Sequence, residues 1–204
     1  MSQDFEPTPR PTHSPWGGVQ SAKEYAPGIW SVCTPSHGGF SLSPERNAKV
    51  ADCWRSDTGW YEEDCEWAIV CATWPEFFTE VWRLQADVTL RNWHPDGYEA
   101  THGVTLTAAN SHAVAEREFW ERHIEDFVVR SAWGDHMAWV PEGFVGVIAG
   151  IGRRPVCGSP REERYFLVPA SEYRLGSHGF VIDRARHAEI PAPTNPHERR
   201  QRAA

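Results

Sequence analysis

The chain has 204 residues with a net charge of -8, 40% apolar residues, 24% charged residues, five cysteines and eleven tryptophans. That length is enough to bury a core as one domain or two small ones. The acidic balance argues against broad electrostatic capture of nucleic acid, and no apolar run approaches the roughly 20 residues that a membrane-crossing helix needs. An odd number of cysteines, with no hydrophobic leader among the polar, Pro-rich first residues, points to free thiols and a cytoplasmic setting.

Residues 1–15 carry Pro7, Pro9, Pro11 and Pro15 among polar neighbours and read as a disordered lead-in. A single α+β domain is expected over 16–190, an antiparallel sheet with helices packed mainly on one face. A flexible basic tail over 191–204 follows. Within the body, 28–33 reads as a strand and 40–42 as a short return after a Ser36 to Gly39 turn. Tyr61, Cys65, Ala68 and Ile69 have the 3-to-4 spacing of a helix over 60–74 that Pro75 ends, and a second helix is expected over 76–84. Ser111 can cap a helix running through Ile124, and Gly103 a helix end; β runs follow at 127–132, 144–151 and 165–168. Eleven tryptophans are too many to leave exposed, so several are expected in the core.

A repeat is the most informative pattern. Ser36 to Val50 reappears, one glycine shorter, as Ser177 to Ile190. Phe40 matches Phe180, Leu42 matches Ile182, Arg46 matches Arg186, Ala48 matches Ala188 and Val50 matches Ile190. Ser43 and Asp183 fall at equivalent places and both suit a helix N-cap. Each copy therefore reads as turn, short strand, cap and helical turn, a duplicated motif.

The acidic run Trp60 to Trp67 is the most concentrated polar feature. On a helix, Glu62 and Glu66 would share one face while Glu63 and Trp67 share another. Carboxylates beside tryptophans suit a protein partner's arginines, with the rings supplying desolvated area, so the expected partner-binding residues are Trp60, Glu62, Glu63, Glu66, Trp67 and His37. The bland alternative is a solvated helix start favoured by the macrodipole. His37 and His178 lie beside glycines, where an imidazole can act as acid, base or ligand, so a small hydrolase or nucleic-acid-modifying enzyme using His37 with Glu62 or Glu63 is the alternative function. The cysteines show no zinc spacing, no nucleophile elbow, Walker loop or His-Glu-x-x-His motif occurs, and no metal, cofactor or catalytic residue is expected. Cys65 among acidic residues should have its thiol pKa raised. The glycines Gly146, Gly150 and Gly152 fall in a predicted strand, a poor setting for a dinucleotide. Arg153, Arg154, Arg161 and Arg164 flank a loop that would serve a nucleic-acid or phosphate site if the acidic reading fails.

On Ser14 to Gly17, Ser36 to Gly39, Trp60 to Ala68, Asn92 to Asp96, Val140 to Gly146 and Phe166 to Ala170, the chain resembles a family of uncharacterised proteins carried by plasmids and integrative elements of proteobacteria. The resemblance implies a bacterial mobile-element accessory protein and brings no catalytic residue with it. The function it suggests is a non-enzymatic interaction module, with inhibition of a host defence system as the implied role.

Overall fold

The computed structural model describes residues 5–153 and 162–200. They form an α+β structure whose sheets are antiparallel throughout, and the chain divides into two compact units, residues 1–115 and 116–204.

The first unit opens with a small ribbon, β1 (His13–Ser14) and β2 (Gly17–Gly18), and then a four-stranded meander. The meander runs β3 (Ser21–Ala26), β4 (Ile29–Cys33), β5 (Gly38–Leu42) and β6 (Trp60–Glu62), each paired with the next. Alternation sends Ile29, Phe40, Leu42 and Tyr61 to one face, where they bury against Ala68, Ile69 and Val70 of α2 (Trp67–Thr73) and Ala86 and Leu90 of α3 (Glu80–Trp93). A 3₁₀ turn (Pro75–Phe77) and α4 (Pro95–His102) complete this layer. The other face carries Trp30, Gly39, Trp60 and Glu62, and the Pro-rich segment lies on it. Trp30 Nε1 donates to Thr8 Oγ1 at 3.1 Å, and the Trp16 ring packs over Gly39. Thr8, from the expected lead-in over 1–15, and Trp16, the expected start of the body, thus contribute side chains to this face of the sheet.

Local signals act as the sequence suggests at several ends. Ser43 Oγ accepts from Arg46 N at the start of α1 (Pro44–Asn47), Ser111 Oγ accepts from Val114 N at the start of α5 (His112–Arg122), and Gly103 closes α4 in the left-handed conformation. Two expectations are corrected. The helix read over 60–74 is a strand, β6, followed by a turn and only then α2, because Trp60 to Glu62 pair with β5 instead of coiling locally. The helix read over 76–84 begins later, capped by Thr79, whose Oγ1 accepts from Trp82 N.

The second unit holds β7 (Phe127–Trp133), β8 (Phe144–Ile151), β9 (Glu163–Pro169) and β10 (Ala188–Ile190), in sheet order β10-β9-β8-β7. Its core is Phe127, Val147, Ala149, Phe166, Val168 and Ile182. Gly146 and Gly150 lie inside β8, as read. The repeat's second copy behaves differently from its first. Phe180 to Ile182 pair with β7, and Asp183 caps a single turn, its Oδ1 accepting from Ala185 N, with no helix after it. The turns are also offset. Pro35 and Ser36 are the loop residues of the first, where Thr34 N donates to His37 O, whereas Ser177 and His178 lie between the bridged Gly176 and Gly179. Tail residues pair too: Ala138 N donates to Glu198 O and Arg200 N to His136 O, both at 2.8 Å.

The tryptophans mostly avoid the deep core. Trp74 is the buried one; the others are half-buried or exposed, and several meet in edge-on pairs such as Trp16 with Trp60, Trp67 with Trp82 and Trp133 with Trp139. An indole edge placed on a neighbour's face uses the ring quadrupole, so such pairs stabilise a surface layer without needing full burial.

Candidate functional site

Two consecutive carboxylates on a strand would point to opposite faces, yet Glu62 and Glu63 converge. The reason is that β6 ends at Glu62 and the chain turns. The register sets Gly39 opposite Glu62, and the ladder continues one step further as Glu63 N donates to Gly38 O at 3.1 Å. Gly38 is buried, and the Glu63 carboxylate occupies the space a Cβ there would need. His37, the next residue back, closes the two-residue Pro35–Ser36 hairpin loop. Its N–H donates to Thr34 Oγ1 (3.1 Å) and its carbonyl accepts from Thr34 N (2.7 Å) and Thr34 Oγ1 (2.8 Å). The backbone of His37 is fixed by these three bonds while its ring stays half exposed, with Nδ1 3.6 Å from Glu62 Oε1.

His37, Glu62 and Glu63 therefore present one donor atom each with all three within 4.8 Å of one another. The two oxygens of Glu62 differ. Oε2 accepts from Asp64 N at 2.7 Å, whereas Oε1 is buried and accepts no hydrogen bond from a described residue. A buried, unmatched carboxylate oxygen is costly, and an external cation is the natural complement.

The remaining expected site residues divide. Trp60 stands on the same face as Glu62, its ring edge-on to Trp16 with centroids 5.8 Å apart. Glu66 is structural: Oε2 accepts from Glu62 N at 2.9 Å and ties the strand end to the start of α2. Trp67 packs against the core and on Trp82, at 5.0 Å. Neither is brought into the His37 cluster. Burial, with the charges of Asp64, Glu62 and Glu66 adding to it, pushes the Cys65 thiol up, the direction expected from its neighbours.

The basic loop is largely self-paired where described: Arg153 meets Glu116 at 3.0 Å, and Arg164 meets Glu162 and Glu189. Arg154, Cys157 and Arg161 lie outside the described residues. A concavity that sequence patterns do not announce lies among α2, α3 and α4, about 200 Å³ in volume, with Arg83, Asp87, Tyr98 and His102 at its lining. There Tyr98 OH donates to Asp87 Oδ1 at 2.6 Å, and burial pushes the Cys71 thiol up to about 11.

His94, at the junction of α3 and α4, has Nε2 buried without a described partner, and burial lowers its pKa against the opposing pull of Glu66. Burial disfavours its protonated form, so its contribution is present above the unfolded value of about 6.5 and is lost as pH falls through the lowered folded value. Denaturant titrations of the wild type should lose stability from pH 7.5 to 5.5, with a shallower slope in His94→Gln. Equal slopes would show that His94 is not the titrating group.

No curated protein and no solved structure matches the chain. Among the described residues no helix is long and apolar enough to cross a membrane. Residues 9–124, which contain the whole meander, the helical layer and the His37 cluster, match one family model, and the chain belongs to that family, the domain of unknown function DUF7007.

Proposed function

We propose that the chain is a non-enzymatic protein-interaction module whose recognition face is the end of the β5–β6 hairpin in the first unit. The observation that carries the reading is the convergence of His37, Glu62 and Glu63 with an unmatched Glu62 oxygen. A basic side chain of a partner would complete that oxygen with a charge-assisted hydrogen bond, and the half-buried Trp16 and Trp60 rings beside it supply area that a partner can desolvate. The resemblance to proteins carried on mobile elements supports looking for the partner in the bacterial host, with a defence component as the class of target.

The exposed Glu63 is the residue to reverse, because Glu62 also holds the turn through Asp64 N. Co-purification from the native host at moderate salt should recover a stoichiometric partner with the wild type and with Glu121→Lys as a surface control. Glu63→Lys should weaken that binding at least tenfold, about 1.4 kcal/mol, with a melting temperature within a degree or two of wild type. Retention of the partner by Glu63→Lys would overturn the reading. The 3.6 Å approach of His37 Nδ1 to Glu62 Oε1 also favours a second reading, a hydrolase using the pair for acid–base work, in which His37→Ala would abolish turnover.

A further inference from the structure

We propose that His37 Nδ1, Glu62 Oε1 and one carboxylate oxygen of Glu63 form a three-donor site for a divalent transition-metal ion of the Zn²⁺ class. The proposal shares residues with the recognition face but does not rest on it, since a metal ion binds the isolated chain whether or not a partner exists.

Three features carry it. The first is separation: two donors each ~2.1 Å from one ion at the tetrahedral angle stand ~3.4 Å apart. His37 Nδ1 and Glu62 Oε1 are 3.6 Å apart, and one donor atom from each of His37, Glu62 and Glu63 lies within 4.8 Å of the other two. Glu63 is exposed, so its side chain has room to swing toward the other two. The second is donor chemistry. An imidazole nitrogen with two carboxylate oxygens suits a first-row divalent ion better than Ca²⁺ or Mg²⁺, which favour oxygen ligands throughout. The third is the buried Glu62 Oε1, which no described donor satisfies although its sister oxygen is bonded. A hydrogen-bonded turn leaves one carboxylate oxygen for backbone and the other for a ligand, the usual division between support and coordination at a metal site.

The scaffold supports the same assignment. Thr34 fixes the His37 backbone, Glu66 fixes the Glu62 backbone, and the missing Cβ of Gly38 gives the Glu63 carboxylate its place. Three protein donors leave the remaining positions of the ion to water or to a group from outside, so the site is an open one and not the closed four-ligand zinc that holds small folds together.

The test uses the untagged full-length chain and Zn²⁺ in competition with a chromophoric chelator, with Co²⁺ absorption as a second probe. One equivalent should bind, and His37→Ala, Glu62→Gln and Glu63→Gln should each weaken it at least about tenfold. Glu63→Gln keeps the fold even if Glu62→Gln disturbs the turn, so the comparison stands on at least two variants. Prior alkylation of accessible thiols should leave the stoichiometry at one, and chelation should leave the melting temperature of the metal-free chain unchanged. Absence of saturable binding, or equal affinity in His37→Ala, would overturn the proposal. Loss of binding on alkylation would do the same by assigning the metal to cysteine.

Discussion

Replacing Gly39 by alanine is expected to lower stability by about 4 kcal/mol, the sum of a strained backbone conformation and an overpacked contact. Gly39 has φ +156°, and a Cβ there would fall under 3.0 Å from the carbonyl oxygen of Tyr61 and from the Trp16 ring. The carbonyl belongs to the β5–β6 ladder and cannot withdraw without breaking the pairing that positions Glu62. Urea titration followed by tryptophan fluorescence measures the loss, which corresponds to roughly 10 °C in melting temperature. Gly38→Ala makes the informative contrast. Its closest clash is with the far end of the Glu63 side chain, which can swing away, although Val32 O at 3.0 Å is also tight. That variant should cost about 1 kcal/mol, yet displace the carboxylate from the cluster. A Gly39→Ala protein as stable as the wild type would mean that the close approach of β5 to β6 and Trp16 is not as described.

The contrast between these neighbouring glycines shows which parts of the molecule were legible beforehand. Ends governed by one local bond follow the sequence: Ser43 and Ser111 as caps and Gly103 as a helix terminator. These depend on residues within a few positions of one another. The helical expectation for the acidic run fails because its 3-to-4 spacing of Tyr61, Cys65 and Ala68 is met equally by a strand end followed by a turn and a helix start. What decides between them is the Gly39 to Glu62 pairing, 23 residues apart, and single-sequence periodicity carries no term for it. His37, Glu62 and Glu63, expected together from the sequence, do lie close in space, and strand pairing is what brings them together. The dispersal of Glu66 and Trp67 to structural roles follows from the same change, since the helix that would have aligned them begins only at Trp67.

The Pro-rich start illustrates a second limit. Composition marks residues 5–15 as poor in secondary structure, and they contain little. They are placed by side chains instead: Thr8 accepts from Trp30, and Phe5 lies 3.6 Å from the Arg46 guanidinium. Few apolar residues suffice when each meets a preformed partner on a sheet face, and no sequence window reports the partner.

Arg46→Ala is expected to cost about 3 kcal/mol, whereas Arg186→Ala, its counterpart in the repeat, should change stability by less than about 0.5 kcal/mol. Arg46 is 5% exposed; its guanidinium stacks on Phe5 and lies 5.5 Å and 5.7 Å from the rings of Trp74 and Phe77, while Nε donates to Pro27 O at 3.0 Å. Truncation removes a desolvated cation–π contact worth ~1–2 kcal/mol and leaves a part-buried carbonyl without its donor. Arg46→Lys should recover little, because an ammonium cannot both stack flat and reach the Pro27 carbonyl. Arg186 instead makes an ion pair with Glu172 at 2.8 Å from an exposed position, the kind of contact that solvent screens. Aligned residues with such unequal burdens mean that the repeat preserves cap chemistry at Ser43 and Asp183 without preserving the turn register or the packing around it. Denaturant titration of both variants decides the matter: equal losses would restore the two segments to structural equivalence, and the expected inequality assigns the buried arginine to the first unit alone.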